Sequence, residues 1–254
     1  MKSHLTYFNS PNIVRYYNNY EVLQLPEIRI LSQLKKTLPE SKVLDVGIGA
    51  GRTTLYLLQL VKEYTGVDYS EAMIEHCKKK FKEYPEKPSF FVCDASKMNI
   101  FKQESFDLVL FSYNGLDSIN HESRIKALME MKRVCKKGGH LVFSTHNLNS
   151  IKKYYTANRY KHPLRKLSER TRVKKIKRVN GNYSDLLKLE QCMFYDGGSS
   201  DEKLYYIKPV AQVKQLKELG FNEIEAYSLF TGFKINDKDL ATVTDDWVYF
   251  KCKI

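Results

Sequence analysis

The run Val43-Leu44-Asp45-Val46-Gly47-Ile48-Gly49-Ala50-Gly51 is where this sequence most plainly offers chemistry. It reads as a strand, a glycine-rich turn and the start of a helix. Glycines permit positive φ and let a backbone approach a ligand with no Cβ in the way. The helix that follows presents free N–H groups and the positive end of its dipole to an anionic group. The spacing is G-x-G-x-G with an acid two residues before the first glycine. It is not the dinucleotide fingerprint G-x-G-x-x-G, because Arg52 stands where the third glycine belongs.

Two further acids stand at the ends of apolar runs, Asp68 in Gly66-Val67-Asp68-Tyr69-Ser70 and Asp94 in Phe91-Val92-Cys93-Asp94-Ala95. Either one alone reads better as a cap of a turn or helix. Together they occupy the carboxyl ends of successive strands, where open α/β sheets bind ligands. A fourth run, Phe106 to Phe111, leads into Ser112-Tyr113-Asn114, and a fifth, Leu141 to Ser144, leads into Thr145-His146-Asn147.

These residues need a scaffold, and the apolar pattern supplies one. Short apolar runs at Val43–Val46, Tyr64–Val67, Phe90–Cys93, Phe106–Phe111 and Leu141–Ser144 suit strands buried on both faces of a parallel sheet. Helices are expected between them: about Arg52 to Lys62 with Leu55, Leu58 and Leu60 inward; one capped by Ser70 with Met73 and Ile74 inward; and about His121 to Cys135 with Ile125, Leu128 and Met129 inward. A helix from Pro209 to Leu219, stopped by Gly220, and strands near Ile224–Leu229 and Trp247–Cys252 close the chain. The first forty residues read as helical, with Ile28, Ile30, Leu31 and Leu34 on one face.

The acid-plus-glycine motif resembles the first motif of class I S-adenosylmethionine (SAM)-dependent methyltransferases. The resemblance runs through Asp68, Asp94, the Ser112-Tyr113-Asn114 strand end and Arg133 to Gly139, covering roughly residues 40 to 147 in order. It implies a doubly wound, seven-stranded, mostly parallel α/β sheet. The expected organisation is an N-terminal helical cover (1–40), a SAM-binding core (41–147), a cap insertion after strand five (148–206), and a closing helix with two strands (207–254). The resemblance also implies roles. The Gly47, Gly49 and Gly51 loop passes under the methionine part of SAM, with Asp45 holding that end. Asp68 accepts from the ribose hydroxyls, Tyr69 and Met73 pack on the adenine, and Asp94 with Ala95 meets its amino group. Ser112 and Tyr113 lie near the sulfonium and the acceptor, and Tyr17 helps cover the cofactor. His146 is the candidate general base, with Tyr113 as a second catalytic candidate; a histidine that only hydrogen-bonds at the rim is the plain alternative.

Composition bounds the acceptor less tightly. The net charge is +13, and Lys152 to Arg178 holds twelve Lys or Arg against one acid, Glu169. A solvated face on a cap, with Leu164, Leu167 and Ile176 inward, explains that run. Grip on an anionic small molecule or on nucleic acid also explains it, with Tyr154, Tyr155 and Tyr160 interleaved for stacking. The second half of the insertion, Met193 to Ser199 then Leu204 to Ile207, reads as two strands and a polar turn. A small-molecule acceptor ranks first, RNA second and a protein side chain third. Outside methyl transfer stand a nicotinamide oxidoreductase, which Arg52 disfavours, and a SAM-binding protein without catalysis. Five cysteines with no CxxC pair suggest reduced, mostly buried thiols and no metal site. With no long apolar run and no signal-like start, the expected location is the cytoplasm, off the membrane.

Overall fold

The computed structural model describes residues 4–84, 88–156, 163–198 and 202–254. Three helices come first, α1 (His4–Phe8), α2 (Pro11–Asn18) and α3 (Leu25–Leu34). Strands and helices then alternate: β1 (Lys42–Val46), α4 (Thr54–Leu57), β2 (Glu63–Asp68), α5 (Glu71–Lys80), β3 (Ser89–Val92), β4 (Phe106–Phe111), α6 (His121–Val134) and β5 (Cys135–Asn147). A tight-turned stretch, Leu148–Tyr155, leads to α7 (Pro163–Asn180), α8 (Tyr183–Leu186) and the hairpin β6 (Gln191–Phe194) with β7 (Leu204–Ile207). The chain ends in α9 (Pro209–Glu218), β8 (Asn222–Ser228) and β9 (Trp247–Lys253).

β3, β2, β1, β4 and β5 pair in parallel, and β9 then β8 continue antiparallel from β5. These seven match the expected sheet, but β6 and β7 bring the total among the described residues to nine. β5 makes room for them by outrunning β4. Its pairing with β4 stops at Phe143, while His146 pairs with Trp247 of β9 and with Tyr206 of β7. A strand has two edges, so β7 occupies the edge that β4 has vacated, beyond the carboxyl end of β4. The insertion is thereby built into the sheet on the side where the strands end.

Alternation along the central strands divides the core in two. Leu44, Val46, Val109 and Phe111 join Leu128 and Met131 of α6 and Leu216 of α9. Val43, Leu108 and Leu110 join Ile30 and Leu34 of α3 and Ile74 and Cys77 of α5. Each fully buried Val or Leu contributes about 1.5–3 kcal/mol, so both faces of the sheet are strongly specified. β3 lies at the edge, which leaves Phe91 and Val92 exposed where burial on both faces was expected.

Other expectations shift for physical reasons. The helix expected from Arg52 to Lys62 shrinks to the single turn of α4, and Leu60 is exposed. Ile28 and Met129 point outward although their helices form, because the buried stripes run through Ile30 and Leu34 and through Leu128 and Met131. On α7, Ile176 is buried and Leu167 exposed; the side chain of Leu164, and Arg159, Tyr160 and Lys161, lie outside the described residues. Four of the five cysteines are buried and Cys192 is partly so. Among the described residues no helix is long and apolar enough to cross a membrane.

Ser70 caps α5 as expected, accepting from Met73 N at 3.2 Å. Its hydroxyl also lies 2.8 Å from Asn9 Oδ1, which accepts from Ala72 N at 3.1 Å. One side chain thus starts a helix and ties the N-terminal segment to it. Ser70→Ala is expected to cost about 1 kcal/mol, the worth of an N-cap, read as a lowered denaturant midpoint with an unchanged slope.

Candidate active site

The carboxyl ends of β1, β2, β4 and β5 open onto one cavity of about 460 Å³, within the range typical of small-molecule sites. The loop after β1 forms its floor. Gly47 N and Ile48 N both donate to Val67 O, at 2.7 and 3.1 Å, which ties the loop to β2. At Gly49 φ is +54°, and a Cβ there would meet nothing within 4 Å, so the backbone itself faces open space. Gly51 does different work from that expected. It does not line the cavity, and a Cβ there would collide with the Phe81 ring beside α5. That glycine permits packing beneath the loop rather than approach of a ligand.

Two buried acids hold this floor. Asp45 accepts from Thr53 Oγ1 at 2.5 Å and Tyr64 OH at 2.8 Å. Burial pushes its carboxyl up to about 6 against those two hydroxyls. Asp68 accepts from Gly49 N through one oxygen and Ser70 N through the other, both at 2.9 Å. Burial pushes it up to about 6 as well, opposed by backbone N–H groups.

Tyr69 and Met73 lie beside Asp68 on the cavity wall, and the Tyr69 hydroxyl is buried without a partner. Asp94 sits exposed at the rim with one oxygen taken by Ser96 N and Oγ, at 2.7 and 2.8 Å, and Ala95 follows it. Tyr17 of α2 closes over this side, its ring 5.9 Å from Phe8. α2 is itself held to α5 by Asn18 and His76, 3.0 Å apart.

At the far end, β4 turns through Tyr113 and Asn114, both left-handed at φ 56° and 59°. Ser112 donates to Glu27 of α3. Glu27 also takes both arms of Arg52, at 2.6 and 2.7 Å, and the Tyr249 hydroxyl at 3.0 Å. Burial works against the Arg52 charge, but the Glu27 hydrogen bonds outweigh it and keep the guanidinium protonated. The same guanidinium lies 5.0 Å from the centre of the Tyr113 ring. α3 therefore clamps the glycine loop to the end of β4.

His146 completes the wall. Its Nδ1 lies 2.8 Å from Asp117 Oδ2, and its backbone N donates to the same oxygen at 2.6 Å. Thr145 Oγ1 donates to Asp117 Oδ1 at 2.7 Å, and Arg124 lies 3.6 Å from it. Asp117 and Arg124 are fully buried. With its proton on Nδ1, the ring donates to the Asp117 carboxylate and keeps Nε2 as an acceptor. Asn114 Nδ2 is 3.5 Å from Nε2.

Of the thirteen residues singled out from the sequence, all but Gly51 line this one cavity. Asp117, Asn114, Trp247, Glu27 and the clamping role of Arg52 escaped sequence reasoning. Asn114-Gly115 is a turn signal, but nothing local marks Asp117, whose partner lies 29 residues on.

Comparisons with known proteins bear on the fold and the domain. Residues 43–139 match the family model described as a methyltransferase domain. A stretch of a hybrid PKS-NRPS synthetase from Trichoderma harzianum is 32% identical over 120 residues; the match spans 44% of this chain and 3% of that protein. The fold superposes on an S-adenosylmethionine-dependent methyltransferase from Clostridium acetobutylicum with TM-score 0.63 and 17% identity, covering 94% of this chain and 98% of that one. It also superposes on phosphoethanolamine N-methyltransferase 1 of Haemonchus contortus, solved with phosphoethanolamine and S-adenosylhomocysteine (SAH): TM-score 0.61, 16% identity, 97% of this chain and 46% of that one. Residues 43–139 thus carry a methyltransferase domain, and the chain has the fold of SAM-dependent methyltransferases.

Proposed function

We propose that the protein transfers a methyl group from SAM to a small molecule, with His146 as general base and Asp117 as its positioning partner. The single observation that carries this reading is that one cavity holds both the glycine floor with Asp68 and an imidazole, His146, held through Nδ1 by Asp117. The residues present fit the cofactor. The floor at Gly49 is open, Asp68 keeps lone pairs for two ribose hydroxyls beyond its two backbone bonds, and the buried Tyr69 hydroxyl awaits a partner.

When bound, SAM would supply an electrophilic methyl on its sulfonium, with a neutral thioether as the leaving group. His146 Nε2 accepts the proton of the acceptor's N–H or O–H, and the freed electron pair takes the methyl. Asp117 holds the ring in the Nδ1–H form and stabilises the imidazolium that results, the logic of any orienting acid beside a base. Tyr113 and the Arg52 clamp fix the wall on which the two reactants meet, and proximity alone can remove roughly 7–11 kcal/mol of barrier.

The test of cofactor binding is calorimetry with SAH, expected to show micromolar affinity, about −8 kcal/mol. No heat from protein freed of copurifying ligand rejects the reading.

RNA is the runner-up acceptor, favoured by one observation. Arg170, Lys174, Lys177 and Arg178 are exposed at helical spacing on a single face of α7. On the small-molecule reading that face is only solvated. Reversing all four to Glu is then expected to leave methyl transfer to a cellular metabolite fraction within twofold, with weak salt dependence. Transfer to total RNA that the reversals abolish, and that falls steeply with salt, would put RNA first.

A further inference from the structure

Among the described residues, two polar atoms in the wall beside His146 lack partners, and they have opposite polarity. Asn114 is more than nine-tenths buried, and with its Nδ2 turned toward His146 Nε2, its Oδ1 accepts nothing. Trp247, the first residue of β9, has a buried Nε1–H that donates to nothing. Both residues line the cavity. Buried polar atoms are almost always paired, and each unpaired one carries a desolvation cost that a bound partner removes. With His146 Nε2, which meets Asn114 Nδ2 only at a long 3.5 Å, the wall therefore offers two acceptors and one donor.

The surroundings narrow what answers that pattern. The His146 ring stacks on Tyr206 at 4.7 Å and meets Trp247 edge-on at 6.0 Å, and Tyr113 meets Trp247 at 5.7 Å. Such faces and edges suit a flat molecule. Arg52 is the one Lys or Arg among the cavity's described lining residues, and Glu27 holds both its arms. A phosphate or carboxylate thus finds no free cation there. An alkylammonium brings donors but no lone pair for Trp247 Nε1–H.

Resting on the proposed base role of His146, we infer that the methyl acceptor is an uncharged planar heterocycle with an amide-like edge. Its N–H donates to Asn114 Oδ1, and its carbonyl oxygen or ring nitrogen accepts from Trp247 Nε1–H. A second N–H or O–H, the nucleophile, faces His146 Nε2. Asn114 and Trp247 are then the specificity-determining residues.

The experiment is calorimetry on SAH-saturated protein with three probes: quinazoline-2,4-dione, benzylamine and phosphoethanolamine. The dione is expected to bind most tightly. Trp247→Phe keeps a ring and removes the N–H, and Asn114→Gly suits the left-handed backbone and removes the amide. Each is expected to weaken the dione about fivefold, the worth of one neutral hydrogen bond, with SAH affinity within twofold. A dione that fails to bind, binds no better than either other probe, or binds both variants as well as the parent overturns the inference while SAH binding leaves the cofactor reading standing. Failure to bind SAH overturns both.

Discussion

Replacing His146 with alanine is expected to lower kcat by about 10²–10⁴-fold, the usual worth of a positioned base, with SAH affinity within twofold. The separation follows from geometry. His146 stands at the end of β5 beside Asn114, whereas the glycine floor and Asp68 lie at the ends of β1 and β2. Asp117→Asn is expected to reduce kcat in the same direction, since an amide opposite Nδ1 no longer fixes which nitrogen carries the proton. It also leaves the buried Arg124 without its carboxylate, so stability must be measured alongside kinetics. The telling readout is the pH profile. Once pH rises above the acceptor's own pKa the nucleophile arrives deprotonated, and the gap between His146→Ala and parent should close. Steady-state transfer to the metabolite fraction across pH, with parent and variant equal throughout, would reduce His146 to a wall residue.

Why His146 was legible and Asp117 was not comes down to how each is positioned. In a doubly wound sheet every parallel strand ends on the same side, so a residue's place at a strand end fixes its place in space. Asp68, Asp94 and His146 were readable on that ground, Asp45 and Ser112 through the family resemblance, and all line the cavity. Asp117 lies in the single 3₁₀ turn Gly115–Ser118 after the left-handed pair Tyr113-Asn114, too short for any periodicity to tie sequence to direction. Glu27 and Arg52 join elements 25 residues apart, and only the packing of α3 on the sheet brings them together. The glycine motif shows the limit from the other side. Gly47, Gly49 and Gly51 look alike in the sequence, yet only Gly49 has open space where its Cβ would be, while Phe111 and Phe81 crowd the other two. The hairpin was legible as two strands, but its entry into the sheet depends on β5 outrunning β4, which a strand's own composition does not encode.

Asp68→Ala is expected to weaken SAH binding about ten- to a hundredfold, since charge-assisted hydrogen bonds contribute roughly 1.5–3 kcal/mol. The same carboxyl makes binding pH-dependent. Burial raises it to about 6 in the free protein, yet ribose hydroxyls donate to its ionised form. Affinity should therefore fall about tenfold per unit as pH drops below about 6. The effect on folding has the opposite sign. Between the ordinary carboxyl value and about 6 the native state holds more protons than the unfolded chain at Asp68, and likewise at Asp45, so the ligand-free protein loses stability as pH rises through that window. The rise in Tm that saturating SAH produces should thus be larger at pH 7 than at pH 5. In Asp68→Ala that difference should shrink, with Asp45 alone still titrating there. Calorimetry and thermal melts of parent and variant at both pH values give the answer. A variant that binds SAH as tightly as the parent, with the same pH dependence, would remove Asp68 from the cofactor site.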